Sequence, residues 1–324
     1  MWRRILGMGL VLALAGCGGS GDDGRSAPWP AAEPYYLLPH FQTASRVLHL
    51  TGSSDGLRFP RAAGPRYAGL HGIVRDPSIL HHGGRWWLAY TSGGPARRGG
   101  YADYAALAVS DDLRSWAHVA RIPGPPGNDP RTPIVWAPEW FVDADGSVHL
   151  LLAAGPWASI HLWETRPVGD DWRAWSTPVP LARGLRRTMI DPFVLRQDDG
   201  RYHLFYKDQA TGHIEHAIAD ELLGRWHRVP VADPDDWMPA SASQIEGQSV
   251  VRVGERRWRI YFDAYRREGD DTQAMYWSET SDPTLETGWT LSQPIRGRGS
   301  IRHGTVLRLT DPAQIAQARA AVAP

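Results

Sequence analysis

The 324-residue sequence predicts an all-β fold, a five-bladed β-propeller, and the observation that carries this prediction is a repeat. Five short segments follow one another at steps of 60, 55, 55 and 57 residues. Four of them continue as an apolar strand, a turn with glycine and an alternating aromatic strand. A fixed period built from such units is typical of propellers. The five segments begin at Asp76, Trp136, Asp191, Glu246 and His303.

The residues after each strand pair supply the outer strands of a blade. A third strand and a closing tryptophan follow at Trp116, Trp226 and Trp289, with a looser fit at Trp175. Each unit therefore offers about four strands, the number that a propeller blade contains. We interpret many of the 16 tryptophans of the chain as packing between blades, because large aromatic side chains are mostly buried.

The fifth unit is incomplete, and the N-terminal strands are predicted to complete it. The segment from His303 supplies one strand, and the tail after it is predicted to form a short helix. Residues 35–60 contain two strand patterns, of which VLHLTGSSDGLRF parallels LAVSDDLRSW of the first unit. We therefore expect the N-terminal strands to close the ring and to protect the sheet edges.

The N-terminus predicts export and a lipid anchor. Residues 1–16 combine a charged start with an apolar run too short to span a bilayer, which is typical of a signal peptide. The run ends in LAGC at Cys17, which resembles the bacterial lipobox and predicts lipidation of Cys17. A plain signal peptide with an incidental cysteine is the alternative. Residues 17–34 are predicted to be a flexible tether, and residues 35–324 a propeller domain on the periplasmic or cell-surface side.

Composition narrows the partners of the chain. The formal net charge is zero, which gives no electrostatic case for binding nucleic acid, and membrane contact is expected through the lipid anchor only. Cys17 is the single cysteine, so no internal disulfide bond is expected in the mature domain. Lys207 is the single lysine among 35 basic residues, which we interpret as compositional bias rather than function. A monomer is expected.

Three carboxylates stand at the mouths of predicted inner strands, and the repeat would bring them together at the propeller axis. Asp76 and Asp191 each precede a proline, and either alone would be interpreted as a turn residue. That interpretation weakens because both, together with Glu246, are predicted to lie at the same phase of their repeats. An acid at the inner end of a buried strand is costly unless it is paired or functional.

The five segments together resemble glycoside hydrolase family 43. The matching letters are DPSI, WAPE, IDPF, IEG and RHGTV, in this order and evenly spaced. The resemblance implies a five-bladed propeller with an axial active site. It implies that Asp76 is the general base, that Glu246 is the general acid, and that Asp191 tunes the acid and orients the substrate.

Two further candidates follow from the resemblance, and a third, Glu139, follows from its place on the predicted inner strand of blade two. Trp136, His303 and Glu139 are candidates for substrate binding, and Glu139 is expected to hydrogen-bond across the channel. His303 falls where relatives place an axial histidine, in some of them near calcium, so a structural calcium ion near His303 is a candidate. The chemistry itself requires no cofactor.

Hydrolysis with inversion explains why these residue types are needed. Two carboxyl groups about 6.5–9.5 Å apart protonate the departing oxygen and deprotonate a water molecule on opposite faces of the sugar. Glu246 needs a proton at neutral pH for this role, and the negative charge of Asp191 is expected to raise its pKa.

The sequence therefore predicts an inverting glycoside hydrolase that cleaves terminal sugars from polysaccharides or oligosaccharides. α-L-Arabinofuranosyl and β-D-xylosyl residues are the leading candidates, and galactosyl and galactofuranosyl residues stay open. A non-catalytic carbohydrate-binding propeller at the cell surface is the main alternative, and the presence of all three carboxylates argues against it. A platform for protein interactions would leave the axial acids unexplained.

Overall fold

The structure is a computed structural model that describes most of the chain between residues 33 and 323. The predicted signal peptide, Cys17 and most of the predicted tether lie outside the described residues. No helix among the described residues is long and apolar enough to cross a membrane. The described residues are 33–42, 44–60, 64–93, 101–127, 134–156, 158–185, 188–229, 239, 242–266, 274–296 and 301–323.

The described residues form 22 strands and one helix. In chain order these are β1 (Tyr35–His40), β2 (Leu48–Ser53), β3 (Pro65–Tyr67), β4 (Val74–His82), β5 (Arg85–Gly93), β6 (Tyr101–Ser110), β7 (Ala117–Pro123), β8 (Ile134–Val142), β9 (Val148–Gly155), β10 (His161–Thr165), β11 (Pro167–Val168), β12 (Ala174–Trp175), β13 (Val179–Pro180), β14 (Met189–Arg196), β15 (Tyr202–Asp208), β16 (His213–Ala219), β17 (His227–Val229), β18 (Gln244–Gly254), β19 (Arg257–Tyr265), β20 (Ala274–Thr280), β21 (Gln293–Pro294), β22 (Leu307–Leu309) and α1 (Pro312–Val322).

Five four-stranded antiparallel sheets are the blades of a five-bladed β-propeller, which confirms the predicted fold class. From the innermost strand outward, blade one is β4-β5-β6-β7, blade two β8-β9-β10-β13, blade three β14-β15-β16-β17 and blade four β18-β19-β20-β21. The two-stranded ribbon β11–β12 is inserted before the outermost strand of blade two. Blade five has the order β22-β1-β2-β3, so the N-terminal strands close the ring as predicted.

Apolar side chains between neighbouring blades hold the ring together. Five hydrophobic clusters among the described residues each combine buried side chains from two adjacent blades. Between blades one and two, Trp87 stacks on Trp172 of the inserted ribbon, with ring centroids 4.2 Å apart. Because one cluster joins blade five to blade one, the ring is closed by packing as well as by strand pairing.

The predicted parallel between the N-terminal strands and blade one extends to their hydrogen bonds. After β6, an oxygen of Asp112 accepts hydrogen bonds from the backbone N–H groups of Arg114 and Ser115, both at 2.8 Å. After β2, Asp55 accepts from Leu57 and Arg58 in the same way, at 2.8 and 2.9 Å. Since the two corners are built alike, β2 is the third strand of blade five as β6 is of blade one.

The C-terminal tail forms the predicted short helix, α1. Asp311 caps its N-terminus by accepting a hydrogen bond from the N–H of Gln314 at 2.9 Å, and Pro312 occupies the first turn. Ala318 and Ala321 of the helix are buried in the cluster between blades five and one. The helix therefore packs at the seam between blade five and blade one.

Candidate active site

A β-bulge at a corresponding position of four inner strands determines which side chains face the axis. The register shifts in β4, β8, β14 and β18, where two residues oppose one on the neighbouring strand. The bulged residue has a left-handed backbone, with φ of 49° at Asp76, 45° at Ala137, 55° at Asp191 and 64° at Gly247. A bulge redirects the side chains around it, and such backbone strain is concentrated at functional sites.

The bulges correct one prediction, because Glu246 does not share the phase of the two aspartates. Asp76 and Asp191 are themselves the bulged residues, whereas Glu246 lies one position before the bulged Gly247. A Cβ atom at Gly247 would come within 2.7 Å of the His303 ring. Blade four therefore has no room for a side chain at the bulge, and its carboxylate comes from the preceding residue.

The three carboxylates line one cavity of about 280 Å³ at the axis. They are buried, with 8% of Asp76, 6% of Asp191 and 9% of Glu246 exposed. Trp136 and His303 lie at the same cavity as predicted, while Glu139 is not among the lining residues. The lining residues are Arg75, Asp76, Thr91, Trp136, Ile190, Asp191, Lys207, Gln209, Gln244, Glu246, Tyr265 and His303.

Asp76 is held from two sides. Its Oδ2 atom accepts a hydrogen bond from the Thr91 hydroxyl at 2.7 Å, and the Thr91 oxygen accepts in turn from the N–H of Ala137 at 2.8 Å. Its Oδ1 atom lies 3.2 Å from Nδ1 of His303. The carboxylate is therefore oriented by blade one, by the neighbouring blade two and by the segment before β22.

His303 joins Asp76 to Asp191. Its Nδ1 atom is 3.9 Å from Oδ2 of Asp191, and the same oxygen accepts a hydrogen bond from the N–H of Gly247 at 2.9 Å. Burial alone would lower the pKa of His303, but the charges of Asp191 and Asp76 outweigh it and raise that pKa. Burial raises the pKa of Asp191, and the negative charges of Glu246 and Asp76 act in the same direction.

Glu246 lies among groups that stabilise its negative charge. Its Oε2 atom accepts hydrogen bonds from Lys207 Nζ at 2.7 Å and from the Tyr265 hydroxyl at 2.8 Å. Its Oε1 atom lies 3.4 Å from Nη2 of Arg302, whose Nε donates to Asp263 at 2.7 Å. The carboxylate thus has a cation on each of its two oxygens.

The predicted rise in the pKa of Glu246 is wrong. Burial would raise this pKa, but the positive charge and hydrogen bond of Lys207, together with the charge of Arg302, lower it below its ordinary value. Asp191 is the carboxyl group of the cavity whose pKa is raised instead. The repeat predicts one anion beside Glu246, and the two cations come from positions outside the repeated segments' carboxylates.

Glu139 hydrogen-bonds across the channel, as expected, and its hydrogen-bond partners are uncharged hydroxyl groups. Its Oε1 atom accepts a hydrogen bond from the Ser78 hydroxyl at 3.0 Å, and its Oε2 atom accepts from the Thr305 hydroxyl. Burial raises the pKa of Glu139 to about 7, although the two hydroxyl groups act in the opposite direction. Glu139 thereby connects blade two with blade one and with the segment before β22.

Sequence reasoning missed three residues that share one hairpin position. Thr91, Lys207 and Asp263 lie on the second strands of blades one, three and four, each opposite the residue just before the bulge. Thr91 donates to Asp76, Lys207 donates to Glu246, and Asp263 accepts from the N–H of His303. The repeat contains a signal for these residues, because each is a polar residue near the end of the alternating second strand of its blade. The interpretation of Lys207 as compositional bias leaves out its contact with Glu246.

A metal site is not evident at the axis. The described residues contain no group of three or more His, Cys, Asp or Glu side chains that could hold a metal ion. Nδ1 of His303 lies close to two carboxylates. Its raised pKa favours an imidazolium, which donates hydrogen bonds and does not ligate a cation. A calcium ion near His303 therefore stays a prediction, and no step below depends on it.

A five-bladed propeller with an axial cavity lined by three buried carboxylates has the architecture of a glycoside hydrolase. A sequence model of the family described as "Probable glycosyl hydrolase domain", which is related to glycoside hydrolase family 43, matches residues 73–314. The chain belongs to this family, because the match covers well over half of its length, and the protein is a glycosidase. A comparison with curated protein sequences finds no match.

Solved structures of a xylosidase and of two arabinan-cleaving enzymes, an arabinanase and an endo-arabinase, share the fold. The xylan β-1,4-xylosidase from Bacillus halodurans has a TM-score of 0.58 and 14% identity, covering 85% of this chain and 56% of the xylosidase. The α-L-arabinanase of Cellvibrio cellulosa in complex with arabinohexaose has a TM-score of 0.56 and 14% identity, covering 82% and 93%. The endo-arabinase from Bacteroides thetaiotaomicron has a TM-score of 0.53 and 14% identity, covering 70% and 81%.

Proposed function

We propose that the protein is an inverting glycoside hydrolase that removes terminal α-L-arabinofuranosyl or β-D-xylosyl residues from polysaccharides or oligosaccharides. The observation that carries the proposal is the arrangement of three buried carboxylates from three blades around one small cavity. Its volume of about 280 Å³ is at the lower end of ligand pockets, which suits one terminal sugar residue. The names of the arabinanase and the xylosidase with the same fold guide the choice of sugars.

In this proposal Asp76 is the general base. Thr91 and His303 hold its two oxygens, so the carboxylate has a fixed direction from which to take a proton from water. His303 balances the charge of Asp76 and Asp191 as an imidazolium. Asp191 positions the backbone at Gly247 and thereby Glu246, the general acid, which delivers a proton to the departing sugar oxygen.

Hydrolysis of aryl glycosides tests the proposal. The full chain is assayed on α-L-arabinofuranoside, β-D-xyloside, β-D-galactoside and galactofuranoside, followed by arabinan and xylan, beside Asp76→Asn. We expect turnover of an arabinofuranoside or a xyloside, and a loss of about 10²–10⁴-fold in the variant, because it cannot deprotonate water. Turnover of none of these substrates would overturn the choice of sugars, and equal turnover by both proteins would overturn the role of Asp76.

We also propose that the enzyme works while anchored to a membrane through Cys17, outside the inner membrane. The support is the sequence pattern around Cys17 and the Gly- and Pro-rich segment that follows it. Labelled fatty acid should be incorporated into the full chain and not into Cys17→Ser. Equal labelling of both proteins, or labelling of neither, would contradict the anchor.

A further inference from the structure

A serine, a histidine and a glutamate of blade two are joined by hydrogen bonds in the order of a nucleophile, a base and an orienting acid. Oγ of Ser147 lies 2.8 Å from Nε2 of His149, and Nδ1 of the same ring lies 2.7 Å from Oε1 of Glu164. The serine belongs to the turn between β8 and β9, the histidine to β9 and the glutamate to β10. Because β9 and β10 are paired neighbours, the sheet itself fixes this order.

The charge of Glu164 fixes the position of the histidine proton. Glu164 and His149 are buried, whereas Ser147 is half-buried. Burial alone would raise the pKa of Glu164, but hydrogen bonds from His149 and Arg166 lower it. An ionised carboxylate can only accept, so Nδ1 of His149 carries a proton. In the neutral imidazole Nε2 is therefore the acceptor for the Ser147 hydroxyl, which is the arrangement that activates a serine nucleophile.

Two further serine–histidine contacts among the described residues lack the third member. Oγ of Ser45 lies 2.8 Å from Nε2 of His49, and Oγ of Ser159 lies 3.0 Å from Nε2 of His161. No described carboxylate forms an ion pair with either of these two rings, whereas His149 pairs with Glu164. The carboxylate, and not the serine–histidine contact alone, distinguishes the group in blade two.

A groove between blades two and three opens beside the turn that holds Ser147. Its volume is about 450 Å³, which is within the range of ligand pockets. Asp143, whose N–H donates to the Ser147 carbonyl at 3.0 Å, forms part of its wall. Phe141 forms another part, and its ring centroid is 5.8 Å from that of His149. Most of the other lining side chains are apolar, namely Trp140, Val142, Ala144, Val194 and Leu195.

We propose that Ser147 is the nucleophile of a second catalytic site, an esterase site that transfers the acyl group of an apolar ester to its hydroxyl and then to water. His149 is the base, and Glu164 positions His149 without touching the substrate. The apolar groove suits the acyl chain. Trp136, near the start of β8, lines the axial cavity, whereas Ser147 follows the end of β8, so the two sites lie at opposite ends of this strand.

The steps balance in atoms and electrons. The O–H bond of Ser147 breaks, its proton goes to Nε2 of His149, and Oγ bonds to the carbonyl carbon of the ester. The C–O bond to the alcohol then breaks, and the alcohol oxygen keeps the electron pair and takes the proton from His149. Water next gives a proton to His149 and bonds to the carbonyl carbon of the acyl-serine. The carboxylic acid leaves, and the proton on His149 returns to Ser147.

The turn itself sets the expected rate, because its N–H groups are used within it. The N–H groups of Ala144 and Gly146 donate to Asp143, and that of Ser147 donates to Asp145 at 2.8 Å. The turn therefore presents no pre-formed oxyanion hole, and loss of one oxyanion donor costs about 10²–10³-fold. We expect slow turnover that is measurable on esters with a good leaving group, such as p-nitrophenyl esters.

Covalent labelling of the full chain tests the nucleophile. An alkyl fluorophosphonate bonds to Oγ of an activated serine, the P–F bond breaks, fluoride leaves and the serine proton passes to the base. We expect an adduct that peptide mass spectrometry places on Ser147, with none on Ser45, its matched control. Glu164→Gln should lose most of the adduct, because an amide can donate to Nδ1 of His149 and favour the wrong tautomer.

Hydrolysis of p-nitrophenyl acetate and p-nitrophenyl butyrate tests turnover. Ser147→Ala should lose about 10²-fold or more relative to Ser45→Ala, an effect of the size of general base catalysis. Butyrate should be cleaved faster than acetate if the groove holds the acyl chain. Urea unfolding shows that each variant is folded, and Ser147→Ala should keep the aryl-glycoside turnover of the wild type.

Asp145→Ala provides a test in the opposite direction. A hydrogen bond from the Ser147 side chain lowers the pKa of Asp145, so this carboxylate competes with His149 for the hydroxyl proton. The substitution removes the competitor and releases the Ser147 N–H, and ester turnover should rise.

Three results would overturn the second site. They are the absence of an adduct on Ser147, equal labelling of Ser147 and Ser45, and ester turnover that Ser147→Ala leaves unchanged. A loss of ester and glycoside turnover together in Ser147→Ala would show that the serine acts through the fold and not as a nucleophile.

Discussion

Two buried glutamates of the axial channel, Glu139 in blade two and Glu246 in blade four, have opposite electrostatics at similar burial. Glu139 is 8% exposed and Glu246 is 9% exposed. The partners of Glu139 are the hydroxyl groups of Ser78 and Thr305, and its pKa is raised to about 7. Glu246 accepts from Lys207 and lies beside Arg302, and its pKa is lowered.

The comparison teaches that burial does not decide the charge of an axial acid in this propeller. Burial acts on both glutamates in the direction of a higher pKa. The residues opposite them decide the outcome, because two hydroxyl groups cannot offset desolvation, whereas two cations outweigh it. Glu139 is thus a connector of blades that is uncharged below about pH 7, whereas Glu246 is an ionised carboxylate between two cations.

The largest expected effect separates the two glutamates by activity. Glu246→Gln should lose about 10²–10⁴-fold in turnover of a phenyl glycoside, because the general acid is removed. Glu139→Gln should keep most of its turnover, because the amide can still accept from Ser78 and donate to Thr305. Steady-state kinetics of both variants provide the measurement. Equal losses in the two variants would remove the distinction between acid and connector.

The next effect concerns Asp263, which holds Arg302 beside Glu246. Asp263 is fully buried and accepts hydrogen bonds from Arg302 Nε at 2.7 Å and from the His303 N–H at 3.1 Å. Asp263→Ala leaves Arg302 buried without this partner and should lower the free energy of unfolding by about 3–5 kcal/mol. Urea denaturation measures it, with Glu279→Ala as the control because Glu279 is more exposed. A loss no larger than that of the control would mean that Arg302 does not depend on Asp263.

A third prediction uses the pH dependence of the unfolding free energy to test the raised pKa of Glu139. Its folded pKa of about 7 lies above the ordinary value of 4.5, so the folded state binds this proton more tightly. The stabilisation is complete below about pH 4.5 and is lost as pH rises through about 7, a change of about 3 kcal/mol at 1.36 kcal/mol per pKa unit. Urea unfolding of wild type and Glu139→Gln at several pH values isolates this contribution as a difference. A difference that does not change with pH would mean that Glu139 is ionised.

The smallest expected effect concerns the hydroxyl of Ser78, one of the two groups that donate to Glu139. Ser78→Ala removes the hydroxyl that donates to Glu139, which should cost about 1 kcal/mol of unfolding free energy and raise the pKa of Glu139 further. The pH at which stability is lost should therefore move upward. Ser249→Ala is the control, because Ser249 occupies the corresponding place in blade four and accepts from the N–H of Val306 at 3.2 Å. An unchanged pH dependence in Ser78→Ala would argue against the contact.

The fold was predictable from the sequence because its repeat is local and regular. Each blade repeats a similar strand pair and turn, and the corner SSDGLR at Asp55 is similar to the corner SDDLRS at Asp112, so even the closure of the ring could be inferred. The bulges could not be inferred, because a one-residue shift in register leaves no clear mark in the letters. For this reason the predicted position of Glu246 in its repeat, equivalent to those of Asp76 and Asp191, was wrong by one residue.

The members of the site could be predicted, but their charge states could not. Asp76, Asp191, Trp136, Glu246 and His303 all lie at the predicted cavity. A pKa depends on partners that are distant in sequence, and Lys207 is 39 residues from Glu246 while Arg302 is 56 residues away. The prediction therefore included the anion nearest in repeat order and missed both cations.

The most direct test of the account is the anomeric configuration of the first product. Proton NMR in the first minutes of hydrolysis, on whichever arabinofuranoside or xyloside is cleaved, follows the anomer before it equilibrates. Asp76 acting on water opposite Glu246 predicts that the sugar is released with inverted configuration. Release with retained configuration would mean that a carboxylate attacks the sugar directly, and it would contradict the roles assigned to Asp76 and Glu246.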